Sequence, residues 1–140
     1  MMERVLVVEG PVRARNGSSF GAAVAGQGYF VETMASCAEA FTQLAKSPPA
    51  LVIIDLRGER SADIEWCRRI KGDAATRDVK VLVVTSSGTW NRVFEAFAAG
   101  CDDYLVEPFD RAELALKMKD LLKFSHLRRD IDRAAMAGRL

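Results

Sequence analysis

Apolar positions in this chain follow two alternating patterns. Short unbroken runs occur at Val5-Leu6-Val7-Val8 and Leu51-Val52-Ile53-Ile54, and a third, interrupted only by Lys80, crosses residues 79–84. Runs of this length, rich in β-branched residues and leucine, read as parallel strands buried on both faces. Tyr29-Phe30-Val31-Glu32-Thr33-Met34 and Tyr104-Leu105-Val106 are two further β-prone stretches. Between the runs, apolar residues return every three or four positions: Phe20, Ala23 and Val24; Ala38, Phe41, Leu44 and Ala45; Ile64, Cys67 and Ile70; Val93, Phe94, Phe97 and Ala98. That period predicts helices. The first spans about residues 12–27, with Asn16-Gly17-Ser18-Ser19 leaving its start open. Ser36 with Glu39 three residues later predicts a capped start for the second, and Pro48-Pro49 its end. Gly100 suits the left-handed position after a helix, and Asp110 caps a helix that begins near Arg111.

Five strands alternating with five helices through short connections predict an α/β fold: a five-stranded parallel sheet covered on both faces, with right-handed crossovers, in a three-layer doubly wound sandwich. The last helix is longer than such a sandwich needs. Phe124, Leu127, Ile131 and Ala134 step by three, four and three, with Arg128, Arg129, Asp130, Asp132 and Arg133 beside them, which resembles a short a/d seam. The expected division is a domain over 1–123 and a C-terminal helical extension over 124–140. The extension reads equally as a frayed tail, or as a dimerising helix or linker to a further domain.

Composition narrows the function classes. One hundred and forty residues suit one domain with its own core. Lys and Arg number 20 against 19 Asp and Glu, so charge favours neither nucleic acid nor an anionic membrane as a partner. No apolar run approaches membrane-spanning length. Cys37, Cys67 and Cys101 are odd in number and lack any C-x-x-C spacing, which suits reduced thiols in a cytoplasmic protein.

The candidate chemistry lies at the strand ends, where open α/β sheets form their ligand crevice. The first run ends in Glu9-Gly10, the third in Asp55, the fourth in Thr85-Ser86 and the fifth in Glu107-Pro108. Three carboxylates, Glu9, Asp55 and Glu107, thus converge on one edge, a set able to attract a cation. His126 is the only histidine, which excludes a histidine-based triad. A phosphate-cradling loop does not follow the first strand, and Arg57 stands where an aspartate-nucleophile phosphohydrolase has its second acid. Catalysis on a separate substrate is therefore not expected.

Taken in order, Val5-Leu6-Val7-Val8-Glu9, Leu51-Val52-Ile53-Ile54-Asp55-Leu56, Val81-Leu82-Val83-Val84-Thr85-Ser86 and Ala99-Gly100-Cys101-Asp102-Asp103-Tyr104-Leu105-Val106-Glu107-Pro108-Phe109 resemble the receiver domain of two-component response regulators, over about residues 3 to 123. The resemblance implies a flavodoxin-like sheet of order 2-1-3-4-5. It also implies that Asp55 is the phosphoacceptor, fed by a histidine kinase. Thr85 and Tyr104 match the switch positions and Ser86 the small pocket residue. Glu9 and Asp55 match the positions that hold Mg²⁺.

Two departures bear on that chemistry. Gly10 supplies no side chain where the family has a second acid. Glu107 stands before Pro108 where the family has a lysine, so an attractive charge becomes a repulsive one. At about 5 Å and an effective dielectric of about 20, each interaction is worth roughly 3 kcal/mol. Arg57, two residues after Asp55, is the candidate substitute cation. Proline also lowers the energetic cost of a cis peptide at Glu107-Pro108.

Two functions are expected. The chain is a pseudo-receiver acting by protein–protein contact, docking a kinase or effector or forming a homodimer through the fourth helix, fifth strand and fifth helix. Alternatively, it is a working phosphoacceptor switch. Mg²⁺ is the one cofactor the resemblance implies.

Overall fold

The apolar runs become the centre of a parallel sheet. The computed structural model describes residues 3–8, 20–34, 37–56, 61–86, 90–136 and 138. Its elements alternate along the chain: β1 (Arg4–Val8), α1 (Phe20–Ala25), β2 (Phe30–Met34), α2 (Cys37–Lys46), β3 (Leu51–Asp55), α3 (Ser61–Gly72), β4 (Lys80–Ser86), α4 (Trp90–Ala98), β5 (Asp103–Glu107) and α5 (Arg111–Met136). The strands form one sheet of order β2-β1-β3-β4-β5, and every pairing is parallel. This is the flavodoxin-like receiver topology that the resemblance implies.

The period of two along each strand builds two cores. Val52, Ile54, Val81 and Val83 face Ala40 and Leu44 of α2, Ile64, Cys67 and Ile70 of α3, and Ala96 of α4. Leu51, Ile53, Leu82, Val84 and Leu105 face Val24 of α1 and Leu114, Met118 and Leu122 of α5. The central β3 is buried on both sides up to Asp55, as its unbroken apolar run requires.

Several local expectations meet the structure directly. Gly100 adopts φ +101 beyond α4, where a side chain is strained. Asp110 caps α5: its carboxylate accepts a hydrogen bond from the Glu113 amide at 2.8 Å. Of the first helix, the described part is Phe20–Ala25, followed by a turn to Gly28 at φ 90. The expected start of that helix and the Ser36 cap lie outside the described residues.

β4 continues past its apolar run through Thr85 and Ser86, which pair with Val106 and Glu107. On α4, Val93, Ala96 and Ala99 are the buried residues, while Phe94 and Phe97 are exposed. Small alanines let the helix sit close to the sheet, and the bulky rings are then turned outward.

Candidate functional site

Because all five strands run the same way, their carboxyl ends share one edge. Asp55 is the last residue of β3, half-buried and opposite Val84. The next residue stays tied to the sheet, since the Leu56 amide donates to the Val84 carbonyl at 2.7 Å. One strand further, Thr85 lies opposite Val106 and is fully buried. At the end of β5, Glu107 pairs in register with Ser86, and its peptide bond to Pro108 is cis.

Strand alternation sorts these residues by face. Thr85 continues the row of Val81 and Val83, and Tyr104 packs on that same side of the sheet. Asp55 continues the row of Leu51 and Ile53, and Glu107 that of Leu105, on the opposite side. The two carboxylates therefore end rows on one face, two strands apart. By the register, Glu107 stands two strands across and two residues beyond the row of Asp55, about 12 Å away in the sheet, where their repulsion is about 1.4 kcal/mol at an effective dielectric of about 20. A lysine at the same place would attract by a similar amount.

The Thr85 hydroxyl is buried and finds no hydrogen-bond partner among the described residues. An unpaired buried hydroxyl costs about 1 to 3 kcal/mol, so this oxygen is poised to accept or donate to whatever reaches it. Tyr104 is half-buried between α4 and α5. Phe97 meets its ring edge-on at 5.6 Å, and Lys117 Nζ lies 4.8 Å from its centroid. Lys117 is held there by Asp103 at 3.1 Å. Sequence reading missed Lys117 and Asp103 as neighbours of Tyr104, although Lys117 precedes the core residue Met118 on α5 and Asp103 precedes Tyr104 itself.

The opposite edge of the sheet is braced by a second ion pair. Lys71 of α3 reaches Asp102 at 2.7 Å and the Val79 carbonyl at 2.9 Å, while the Val81 amide donates to the Asp102 carboxylate. Cys101 sits beside this brace. Burial pushes its thiol up to about 12, with Asp102 and Asp103 adding to the rise and Lys71 opposing it.

Glu9, Gly10 and Arg57 lie outside the described residues, and of Ser86 only the backbone is described. Among the described residues no group of three or more His, Cys, Asp or Glu side chains is arranged to hold a metal. On the outer surface, Phe94 is 72% exposed, Leu116 61% and Phe97 44%. Of these, Phe97 packs against Tyr104 of β5, and Phe94 lies one turn before it on α4. No described helix is long and apolar enough to cross a membrane.

Comparison with known proteins adds the following. Residues 5–119 match the response regulator receiver domain family. Response regulator MprA of Mycobacterium tuberculosis is 31% identical over 123 residues, which are 88% of this chain and 52% of that protein. The chain spans about half the length of the curated relatives it matches. Among solved structures, NtrX from Brucella abortus superposes with a TM-score of 0.80 at 22% identity, over 99% of this chain and 30% of that one. The receiver domain of the sensor histidine kinase PA1611 from Pseudomonas aeruginosa, solved with a magnesium ion in its active site cleft, gives a TM-score of 0.73 at 24% identity. That match covers 88% of this chain and 99% of the other. At these identities the two structures bear on the fold alone.

Proposed function

Since this chain belongs to the response regulator receiver domain family and is thus a two-component signalling domain, we propose that it is a pseudo-receiver, which signals by protein contact without phosphorylation of Asp55. The observation that carries this reading is Glu107 at the end of β5, on the same face as Asp55. A phosphoaspartate adds negative charge where the neighbouring side chain is already negative. Replacing the family's lysine by glutamate changes the local balance by about 3 kcal/mol at the separation estimated above.

The donor chemistry supports the same reading. Mg²⁺ needs several oxygen ligands and close to octahedral geometry. Gly10 supplies no side-chain oxygen where the family has a second acid, which leaves Glu9 and Asp55 as the side chains of the family's ligand set. With one carboxylate fewer, Mg²⁺ is held less tightly, and no step of the proposed function passes through it.

The working surface is the outer face of α4, β5 and α5. Phe94, Phe97 and Leu116 are exposed there, and an apolar surface of this kind suits a protein partner, whether kinase, effector or second copy. Near-neutral charge favours neither DNA nor an anionic membrane as the partner of this domain. Buried Cys67 and Cys101, neither of them in a disulfide, support a reducing cytoplasmic setting. The domain turns over no separate substrate.

A second reading, the phosphoacceptor switch, is favoured by the unpaired Thr85 hydroxyl together with Asp55 and Tyr104 at the family's positions. Intact mass after incubation with acetyl phosphate and Mg²⁺ separates the two. The pseudo-receiver gives no adduct, and one appears in Gly10→Asp/Glu107→Lys. A stoichiometric adduct on the unaltered chain that disappears in Asp55→Asn establishes the switch instead.

A further inference from the structure

Tyr104 is gripped from both layers that cover the sheet. Its strand, β5, is an edge of that sheet, so a side chain can reach round it from one layer to the other. Side chains alternate along β5, with Tyr104 packed on the α3 and α4 side and Leu105 in the core beneath α5. Asp103 shares the phase of Leu105. Helix α5 covers that side with Leu114 and Met118, and the residue before Met118 is Lys117. Its Nζ lies 3.1 Å from Asp103 Oδ1 and also 4.8 Å from the centroid of the Tyr104 ring. One ammonium thus joins two residues that point to opposite faces. The same Asp103 oxygen accepts a hydrogen bond from the Tyr104 amide at 2.8 Å. From the other layer, Phe97 of α4 meets the ring with 5.6 Å between centroids and 80° between planes.

We infer that Lys117, positioned by Asp103, latches Tyr104 in a single side-chain conformation and so joins α4, β5 and α5 into one preset surface. The contacts support one another. A ring that swings away gives up both the ammonium and Phe97, while a lysine that leaves strips the ring of its cation and Asp103 of its partner. Lys117 and Asp103 are both partly buried, so salt screens their attraction less than that of a fully exposed pair. A cation–π contact and an edge-to-face ring pair together lower the population of other Tyr104 conformers about tenfold. Phe97 rests on the latched ring and is itself exposed, so the latch also fixes part of the apolar shape that a partner meets. Lys117 is in this sense a positioning residue, acting on that surface through Tyr104. None of the latch contacts involves Asp55 or Glu107. The inference therefore goes beyond the pseudo-receiver reading and stands whether or not Asp55 accepts a phosphoryl group.

Nuclear magnetic resonance of the full chain tests it. The chain has two tyrosines, Tyr29 and Tyr104, so Tyr29→Phe assigns the Tyr104 signals. In the unaltered chain Tyr104 is expected to show one large and one small Hα–Hβ coupling, the pattern of a single conformer, and the ring is expected to move the Lys117 ε-methylene resonance upfield. Lys117→Ala should average the two couplings as the other conformers gain about tenfold in population, and Lys117→Arg should keep the fixed pattern. Averaged couplings in the unaltered chain overturn the inference, as does a Lys117 ε-methylene resonance without the upfield shift, a reading that needs no variant to fold. A fixed pattern that persists in Lys117→Ala, or one lost in Lys117→Arg, also overturns it. The mass of the chain after acetyl phosphate is a separate measurement, so an adduct on Asp55 ends the pseudo-receiver reading and leaves the latch to be judged by the couplings.

Discussion

Thr85 and Cys101 show how burial alone changes what a side chain does. The Thr85 hydroxyl is enclosed with no partner among the described residues. Replacing it by an isosteric methyl removes the penalty of an unpaired polar group. Thr85→Val is therefore expected to raise unfolding stability by about 1 kcal/mol, measured as a higher urea midpoint with an unchanged slope. Cys101 is displaced upward from an ordinary 9.0 to about 12, first by burial and then by Asp102 and Asp103. In the folded chain this thiol keeps its proton over a range where the unfolded chain has lost it. Its contribution to stability is thus complete below about 9 and declines as pH rises toward about 12. Denaturation curves between those values should show stability falling with pH, by no more than about 1.4 kcal/mol per unit from this single proton. In the same range native Cys101 should react with a thiol reagent far more slowly than in urea.

At the level of elements, the junctions between helices and strands depend on a few backbone positions. Gly100 ends α4 at φ +101, and a side chain there would meet Lys71 Cγ at 3.1 Å. That lysine stem crosses the turn on its way to Asp102 and the Val79 carbonyl, so it cannot move without loosening the brace. Gly100→Ala combines a left-handed backbone with this close contact and should cost about 1 to 2 kcal/mol, read from a lowered urea midpoint. Helix α4 illustrates how an apolar period identifies a helix without identifying its buried face. The large apolar residues Phe94 and Phe97 face outward, and Val93 and the alanines take the inward side. Contact with a flat sheet rewards closeness of approach as well as hydrophobicity, and closeness is a property of two elements together.

For the whole molecule, the question is where the cooperative unit ends. Among the described residues, the last core residue of α5 is Leu122. Ending the chain after Lys123 should therefore leave the melting temperature within about 3 °C of the full chain. A larger loss would move the boundary of the folding unit past residue 123. The crevice is likewise a property of the whole sheet. Asp55, Thr85 and Glu107 come from three strands, and it is the parallel order β3-β4-β5 that brings them to one edge.

The amino-acid sequence alone was enough for the strands, the helices, the layer arrangement and, through the resemblance, the strand order. These follow from local period, from caps such as Asp110 and from turns such as Gly100, all of which act within a few residues. It was also enough to single out Gly10 and Glu107 as departures from the receiver pattern, since identity at a matched position needs no coordinates. Tertiary structure decided the rest. It enclosed the Thr85 hydroxyl, set Asp55 and Glu107 on one face, turned Phe94 and Phe97 outward and placed Lys117 over Tyr104. Each of these depends on distances between segments far apart in the chain. Hydrophobic period reports which residues avoid water, whereas packing against a particular neighbour determines which side of an element they use.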